Sequence, residues 1–144
     1  SADKLALFGS LAYTYAVYIN AAGNPQRRQF EGKNVEYAAP WIYRFGIEYL
    51  FKSISGSLQY SHTASEFADA SNAPSSADGS VGIIPAYNTI DFTTGYAFKK
   101  WLLSVSVNNL TNTMYFTRRT TGFPGPGIIP SEGRSCYLTL GITL

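Results

Sequence analysis

Cysteine, histidine and methionine occur once each among 144 residues, and charged residues make up only 14%. One cysteine excludes an internal disulfide and any multi-cysteine metal centre. The net charge of +2 is too small to attract nucleic acid. No run approaches the roughly 20 apolar residues of a spanning helix, and no basic-then-apolar leader opens the chain. What the sequence does have is aromatic residues, 15% of the total, dominated by Tyr (11) and Phe (9). Ser and Thr are also plentiful, and Thr with the aromatic residues favours strands over helices. Mean hydropathy is nonetheless close to zero, at −0.06. Low charge at average hydropathy means that neutral polar and apolar residues are finely mixed. A chain of this kind can enter a membrane only as a barrel, where every backbone group finds a partner between strands.

Parity along the chain resolves the mixture. In Leu5–Ile19 the odd positions carry Leu5, Leu7, Leu11, Tyr13, Val17 and Ile19, against Ala6, Ser10, Ala12 and Thr14. Such period-two alternation defines a strand with one apolar face. Five more spans follow the same rule, over about residues 41–51, 53–63, 88–98, 101–109 and 136–144. Trp41, Tyr43, Phe45, Ile47, Tyr49 and Phe51 share a face in the second, and Cys136, Leu138, Leu140, Ile142 and Leu144 in the last. Only Arg44, Glu48 and Asp91 are charged within these spans, and all three take the polar parity. An outer-face Arg at the bilayer midplane of a barrel costs about 2–4 kcal/mol, whereas a lumen-facing charge is tolerated. The polar face is otherwise Ser, Thr, Gly and Asn, not the Lys and Glu of a soluble sandwich. The expected fold is therefore all-β, a transmembrane antiparallel barrel wall.

Long connections (20–38, 64–86 and 110–135) alternate with tight turns at Phe51-Lys52 and Lys99-Lys100. Outer-membrane barrels have short periplasmic turns and long outer loops, so the first strand runs outward and the last returns inward. Tyr49, Phe51, Tyr96, Phe98 and Trp101 flank the tight turns as an interfacial girdle. Six strands are too few to close, since single-chain bacterial barrels start at about eight. The chain is read as part of a larger barrel. Two rivals are a passive porin-like channel and a soluble β-barrel or sandwich binding module.

The stretch Val107, Asn109, Leu110, Asn112 and Tyr115, followed by Pro124-Gly125-Pro126-Gly127, Gly133-Arg134 and Tyr137-Leu138-Thr139-Leu140, resembles the C-terminal end of TonB-dependent outer-membrane receptors. Residues 67–72 and 76–87 are similar to the ferric-dicitrate receptor subgroup. The likeness covers residues 39–144. It implies that the chain supplies the six C-terminal strands of a barrel of about 22 strands. The plug inside that barrel and the segment contacting TonB belong to an N-terminal part absent here. The whole would import a ferric chelate across the bacterial outer membrane, with the chelate as cargo and no resident cofactor. Implied partners are the rest of the barrel, the plug, TonB, and outer-membrane lipid with lipopolysaccharide. One departure is Leu144, where the family ends on an aromatic residue used in barrel assembly.

No catalytic constellation is present, and no enzyme activity is expected. His62 takes the apolar parity near a strand's outer end, which favours an interfacial ring over a metal ligand. Cys136 shares the apolar face of the last strand, as a packing residue does. Glu66, Asp69 and Asp78 lack the spacing of a calcium loop and read as solvated loop acids. Arg27, Arg28 and Lys33 lie in the first long loop; Arg118, Arg119 and Arg134 frame the last. These arginines are the candidate ligand contacts, because guanidinium forks suit anionic citrate-type chelates; the competing reading is charge for solubility or for lipopolysaccharide. Arg44 and Glu48 are expected to pair with each other or with the plug. Tyr87 and Asn88 fall near the vestibule. Gly122–Gly127 lacks a Lys-Ser/Thr ending and precedes a strand, so it is not a phosphate loop.

Overall fold

The parity pattern becomes an antiparallel meander in the computed structural model, which describes residues 3–19, 25–123 and 125–143, with backbone only for 25–27. Strands β1 (Lys4–Tyr13), β2 (Trp41–Phe51), β3 (Ile54–Thr63), β6 (Tyr87–Phe98), β7 (Trp101–Asn108) and β10 (Ser135–Ile142) form one six-stranded sheet in that order. Every neighbouring pair is antiparallel. The remaining strands lie in the long loops as two small two-stranded sheets, β4 (Glu66–Phe67) with β5 (Ile83–Ile84), and β8 (Phe116–Thr120) with β9 (Gly127–Pro130). Among the described residues, one 3-10 turn covers Pro25–Phe30.

Register keeps the two parities aligned across the whole sheet. Leu7, Ile47, Leu58, Phe92, Val107 and Cys136 stand side by side in one row. The adjacent row on the other face reads Ala6, Glu48, Ser57, Thr93, Ser106 and Tyr137. A one-residue slip would exchange the faces, so the apolar pattern fixes the register. Nothing covers the apolar face among the described residues: Leu7 is 77% exposed and Leu138 is 73% exposed. The buried apolar side chains found there are only Ala39, Ala68 and Ile84, all in the loops. This is the reverse of a sandwich, whose two sheets bury their apolar faces against each other. The sheet is an open piece of wall, with β1 and β10 at its edges.

Aromatic residues band the apolar face at both ends. Phe51, Phe98 and Trp101 stand at the short turns; Tyr13 and Trp41 (centroids 4.5 Å apart) and Tyr43 stacked on His62 (4.5 Å) stand at the long loops. From Trp41 to Phe51, steps of about 3.3 Å on a strand tilted by about 40° span about 25 Å, the height of the apolar band of an outer-membrane barrel.

Several boundaries differ from those expected. The first strand ends at Tyr13, not at Ile19. Its partner β2 begins at Trp41, after Pro40, which has no N–H to continue the ladder. Beyond Tyr13 the chain bonds Thr14 N–H to the Pro40 carbonyl (3.0 Å) and then pairs with its own loop, at the isolated bridge of Val17 with Asn34 and through the bond from Gly32 N–H to the Tyr18 carbonyl (2.8 Å). The third strand starts at Ile54, since Lys52 and Ser53 form the turn; β7 ends at Asn108, because Asn109 turns away in a left-handed conformation (φ 49°). The last strand runs over Ser135–Ile142, and Leu144 lies outside the described residues. Arg44 and Glu48 are four strand residues apart, about 13 Å, which is too far for a direct ion pair. Arg44 stands between Ser10 and Ser61, and Glu48 between Ala6 and Ser57.

Glycines make room for rings laid across the strands. A Cβ at Gly46 would lie 2.1 Å from the Phe8 ring on the polar face, and one at Gly56 would lie 2.2 Å from the Tyr49 ring on the apolar face. Gly46→Val forces the Phe8 ring out of its place. The expected cost is about 1–3 kcal/mol, the usual range for overpacking, read as a lower urea midpoint of the folded barrel. Phe8→Ala combined with Gly46→Val recovers part of that loss if the clash is its cause.

Candidate functional site

The three long loops, 14–40, 64–86 and 109–134, are tied into one cluster by specific bonds. Lys33 Nζ donates to the Ser71 carbonyl (2.9 Å), and Asn34 and Asn72 exchange two bonds, backbone N–H to Asn72 Oδ1 (2.7 Å) and Asn72 Nδ2 to the Asn34 carbonyl (2.9 Å). Tyr37 N–H donates to the Phe67 carbonyl (2.9 Å). Tyr18 also donates its hydroxyl to Glu36 within the first loop. The bonds from Lys33, Asn34, Tyr37 and Asn72 join the first loop to the second.

Arg119 joins the second loop to the third. Its Nη1 donates to the Gly79 carbonyl (2.7 Å), its Nη2 to the Ile83 carbonyl (2.9 Å), and its guanidinium lies over the Phe116 ring at 5.1 Å. Its Nε is buried without a hydrogen-bond partner. Charge-assisted bonds of this kind are roughly twice as strong as neutral ones, so Arg119 acts as the clamp between loops.

The third loop rests on two asparagines in left-handed backbone conformation, Asn109 (φ 49°) and Asn112 (φ 55°). Asn109 is only 4% exposed. Its Oδ1 accepts from Thr113 N–H (2.9 Å), its Nδ2 donates to the Thr113 carbonyl (3.0 Å) and reaches the Glu132 carbonyl (3.5 Å), and its backbone N–H meets Asp91 Oδ1 (2.8 Å). Asn112 Oδ1 accepts from the backbone N–H of Arg134 (3.0 Å). Tyr115 stacks on Tyr87, with centroids 4.2 Å apart. The spaced Asn, Asn and Tyr of the sequence pattern are thus a loop anchor.

Between the loops lies an open cleft of about 540 Å³ lined by Tyr37, Glu66, Thr117, Arg118 and Arg119. Arg118 is exposed. Partial burial pushes the Glu66 carboxyl above the usual carboxylate range, and a backbone hydrogen bond at Ala39 partly offsets this. Of the five arginines expected as candidates, Arg118 and Arg119 line this cleft. Arg28 is exposed on the 3-10 turn, the Arg27 side chain lies outside the described residues, and the exposed Arg134 meets Asn112 through its backbone. Lys33 is engaged with Ser71. Sequence reasoning missed Tyr37 and Thr117, whose neighbours give no local signal, and treated Glu66 only as a solvated acid.

The other loop acids serve their own turns. Asp69 Oδ2 accepts from Ser71 N–H (2.8 Å). Asp78 accepts from the Ser76 hydroxyl (2.7 Å), the Ser80 N–H (3.0 Å) and the Ser80 hydroxyl (2.8 Å), which lower its carboxyl to about 2. His62 Nδ1 contacts Asn88 Oδ1 (2.6 Å), and Tyr60 donates to the same oxygen (2.8 Å). That arrangement suits an interfacial ring.

A one-sheet meander with a lipid-compatible face, banded by aromatics and capped by linked loops, is the wall of a membrane barrel. Residues 2–110 match the family model described as TonB dependent receptor-like, beta-barrel, and the chain belongs to that family. Among solved structures it is similar to the ferric citrate transporter FecA in its unliganded form, at 25% identity and TM-score 0.82, over 95% of this chain and 20% of that one. The siderophore receptor PiuA from Acinetobacter baumannii matches at 16% identity and TM-score 0.72, over 96% and 19%. The ferric-catecholate import receptor Fiu from E. coli K12, closed form, matches at 20% and 0.71, over 96% and 18%. The last two show the fold alone. The chain spans about a fifth of the length of these receptors. A search of curated proteins finds no match.

Proposed function

We propose that the chain forms the closing, C-terminal part of the barrel wall and three outer loops of a bacterial outer-membrane importer of a ferric chelate, citrate-type, energised through TonB. The reading rests on membership of the receptor family and on the likeness to a ferric citrate transporter. The observation that carries it at residue level is the cleft holding Arg118 beside Glu66. In this reading the short turns face the periplasm, the long loops face outward, and the plug and the TonB contact lie in the rest of the protein. The barrel as a whole has about 22 strands, as such plugged transporters do. The arginines, including Arg27, Arg28 and Arg134, give the vestibule donors for an anionic chelate.

Arg118 does most of this work in the cleft, because Arg119 is held by backbone carbonyls. Losing one charge-assisted hydrogen bond costs about 1.5–3 kcal/mol, so Arg118→Ala in the complete receptor weakens ferric citrate binding about tenfold or more. The Glu66 carboxyl opposes an anionic ligand when ionised. With its pKa raised, that opposition is weak at acid pH and grows as pH rises through the raised value. Glu66→Gln therefore strengthens binding at neutral pH and flattens its pH dependence. Titration of the purified receptor with ferric citrate, and radio-iron uptake by cells with and without TonB, check the reading. Uptake that persists without TonB points instead to a passive pore; unchanged affinity in Arg118→Ala removes the cleft from the ligand's path.

A further inference from the structure

The charges of this chain are unevenly placed. Residues 14–40, 64–86 and 109–134 hold six basic and six acidic side chains and so balance. The short-turn end carries four lysines, Lys4, Lys52, Lys99 and Lys100, against one acid, Asp3. The net positive charge of the chain therefore sits at the short-turn rim, and there it is all lysine.

The geometry gives this charge a direction. Lys52 and Lys99 each open a two-residue turn in a left-handed conformation, φ 53° and 54°. The turns lie beside each other, and Ala97 N–H donates to the Ser53 carbonyl (2.8 Å) across them. The Lys52 ammonium lies 5.1 Å from the centre of the Phe51 ring, and the Lys99 ammonium 5.3 Å from that of Phe98. Phe51 pairs with Ile54 and Phe98 with Trp101, all on the apolar face. Both ammonium groups are thus drawn to the lipid side of the wall, about two strand spacings or 10 Å apart. Lys52, Lys99 and Lys100 are exposed.

We propose that this rim is a docking surface for the headgroups of anionic phospholipids in the leaflet that the short turns meet. The proposal rests on the barrel reading and orientation given above. Aromatic rings seat the wall at the headgroup level, and the ammoniums beside them favour phosphates of net anionic headgroups over those of choline lipids, whose own ammonium offsets the phosphate charge. Asp3 stands at the same end but accepts from the Lys52 backbone N–H (3.4 Å), leaving that ammonium to the lipid.

The test uses the complete receptor that carries this chain, in mixed nanodiscs of phosphatidylcholine and phosphatidylglycerol, with retained lipid counted by native mass spectrometry. One lysine near an anionic surface is worth about fivefold in lipid partition. Wild type and K52R/K99R/K100R should retain phosphatidylglycerol preferentially; K52Q/K99Q/K100Q should lose that preference about tenfold or more. An unchanged preference in the Gln variant, or its loss in the Arg variant, overturns the proposal. A second arm tests the orientation separately. With Cys136→Ser removing the native thiol, Ser53→Cys should react with a membrane-impermeant maleimide only after the outer membrane is opened. Labelling in intact cells sinks the orientation, whereas shielded cysteine with no lipid preference sinks only the headgroup docking.

Discussion

Asn109→Ala is expected to destabilise the folded barrel by about 3–5 kcal/mol and to loosen the third long loop. Three effects add. The side chain makes bonds to Thr113 N–H and the Thr113 carbonyl, with a weaker one to the Glu132 carbonyl. Each normal bond contributes about 0.5–1.5 kcal/mol net, but a buried group left unpaired costs about 1–3 kcal/mol. Asn109 is almost wholly buried, so water does not readily replace the lost partner. Alanine also tolerates the left-handed backbone poorly, at a cost of roughly 1 kcal/mol, where asparagine adopts it more easily. Asn109→Gly separates these terms: it keeps the backbone freedom and loses only the bonds, so it should be less damaging than alanine. The measurement is the urea midpoint of the receptor folded in lipid, together with proteolysis of the 109–134 loop. If alanine and glycine behave alike at less than about 1 kcal/mol, the anchor role fails, because the bonds alone exceed that.

The same residue shows what was legible in the sequence. Parity placed the six sheet strands to within a residue or two, except the outer end of the first, because alternation is a local signal and a buried or lipid-facing side must be continuous. It also put Leu7, Ile47 and Leu58 on one face before their register was known. Alternation continues to Ile19, however, while pairing stops at Tyr13 with Trp41, where Pro40 precedes the partner strand. That limit belongs to the partner, not to the segment. The strands β8 and β9 were hidden for a similar reason. Phe116-Thr117-Arg118-Arg119-Thr120 is short, and its partner Gly127-Ile128-Ile129-Pro130 lies within a Gly/Pro-rich stretch that reads as loop. The cleft was only half legible. Arg118 and Arg119 stood out as neighbouring cations, but which is a clamp and which is free depends on the carbonyls of Gly79 and Ile83, some 40 and 36 residues away. Cation identity is local; hydrogen-bond use is not.

Leu58→Arg, at the middle of the apolar face, is expected to cost about 2–4 kcal/mol, whereas Ser57→Arg, one residue earlier on the polar face, should cost far less. Leu58 stands between Ile47 and Phe92, in a row that lies midway between the aromatic bands at Trp41 and Phe51. An arginine there is too far from either interface to reach water along its own length, so the charge must be desolvated or the bilayer deformed. Ser57 stands between Glu48 and Thr93 on the opposite face, and an arginine there meets a carboxylate in register. Near the bands the cost should fall, because the penalty depends on depth: Ile54→Arg, beside Phe51 at the short turns, should lose about 0–1 kcal/mol. The three variants, unfolded by urea from the same lipid, test face and depth together. Equal costs at 57 and 58 would show that the apolar parity does not face lipid. Equal costs at 54 and 58 would show that the aromatic bands do not mark the membrane edge. Such a result would also undercut the lysine rim, whose headgroup contact requires Phe51 and Phe98 to lie at that edge.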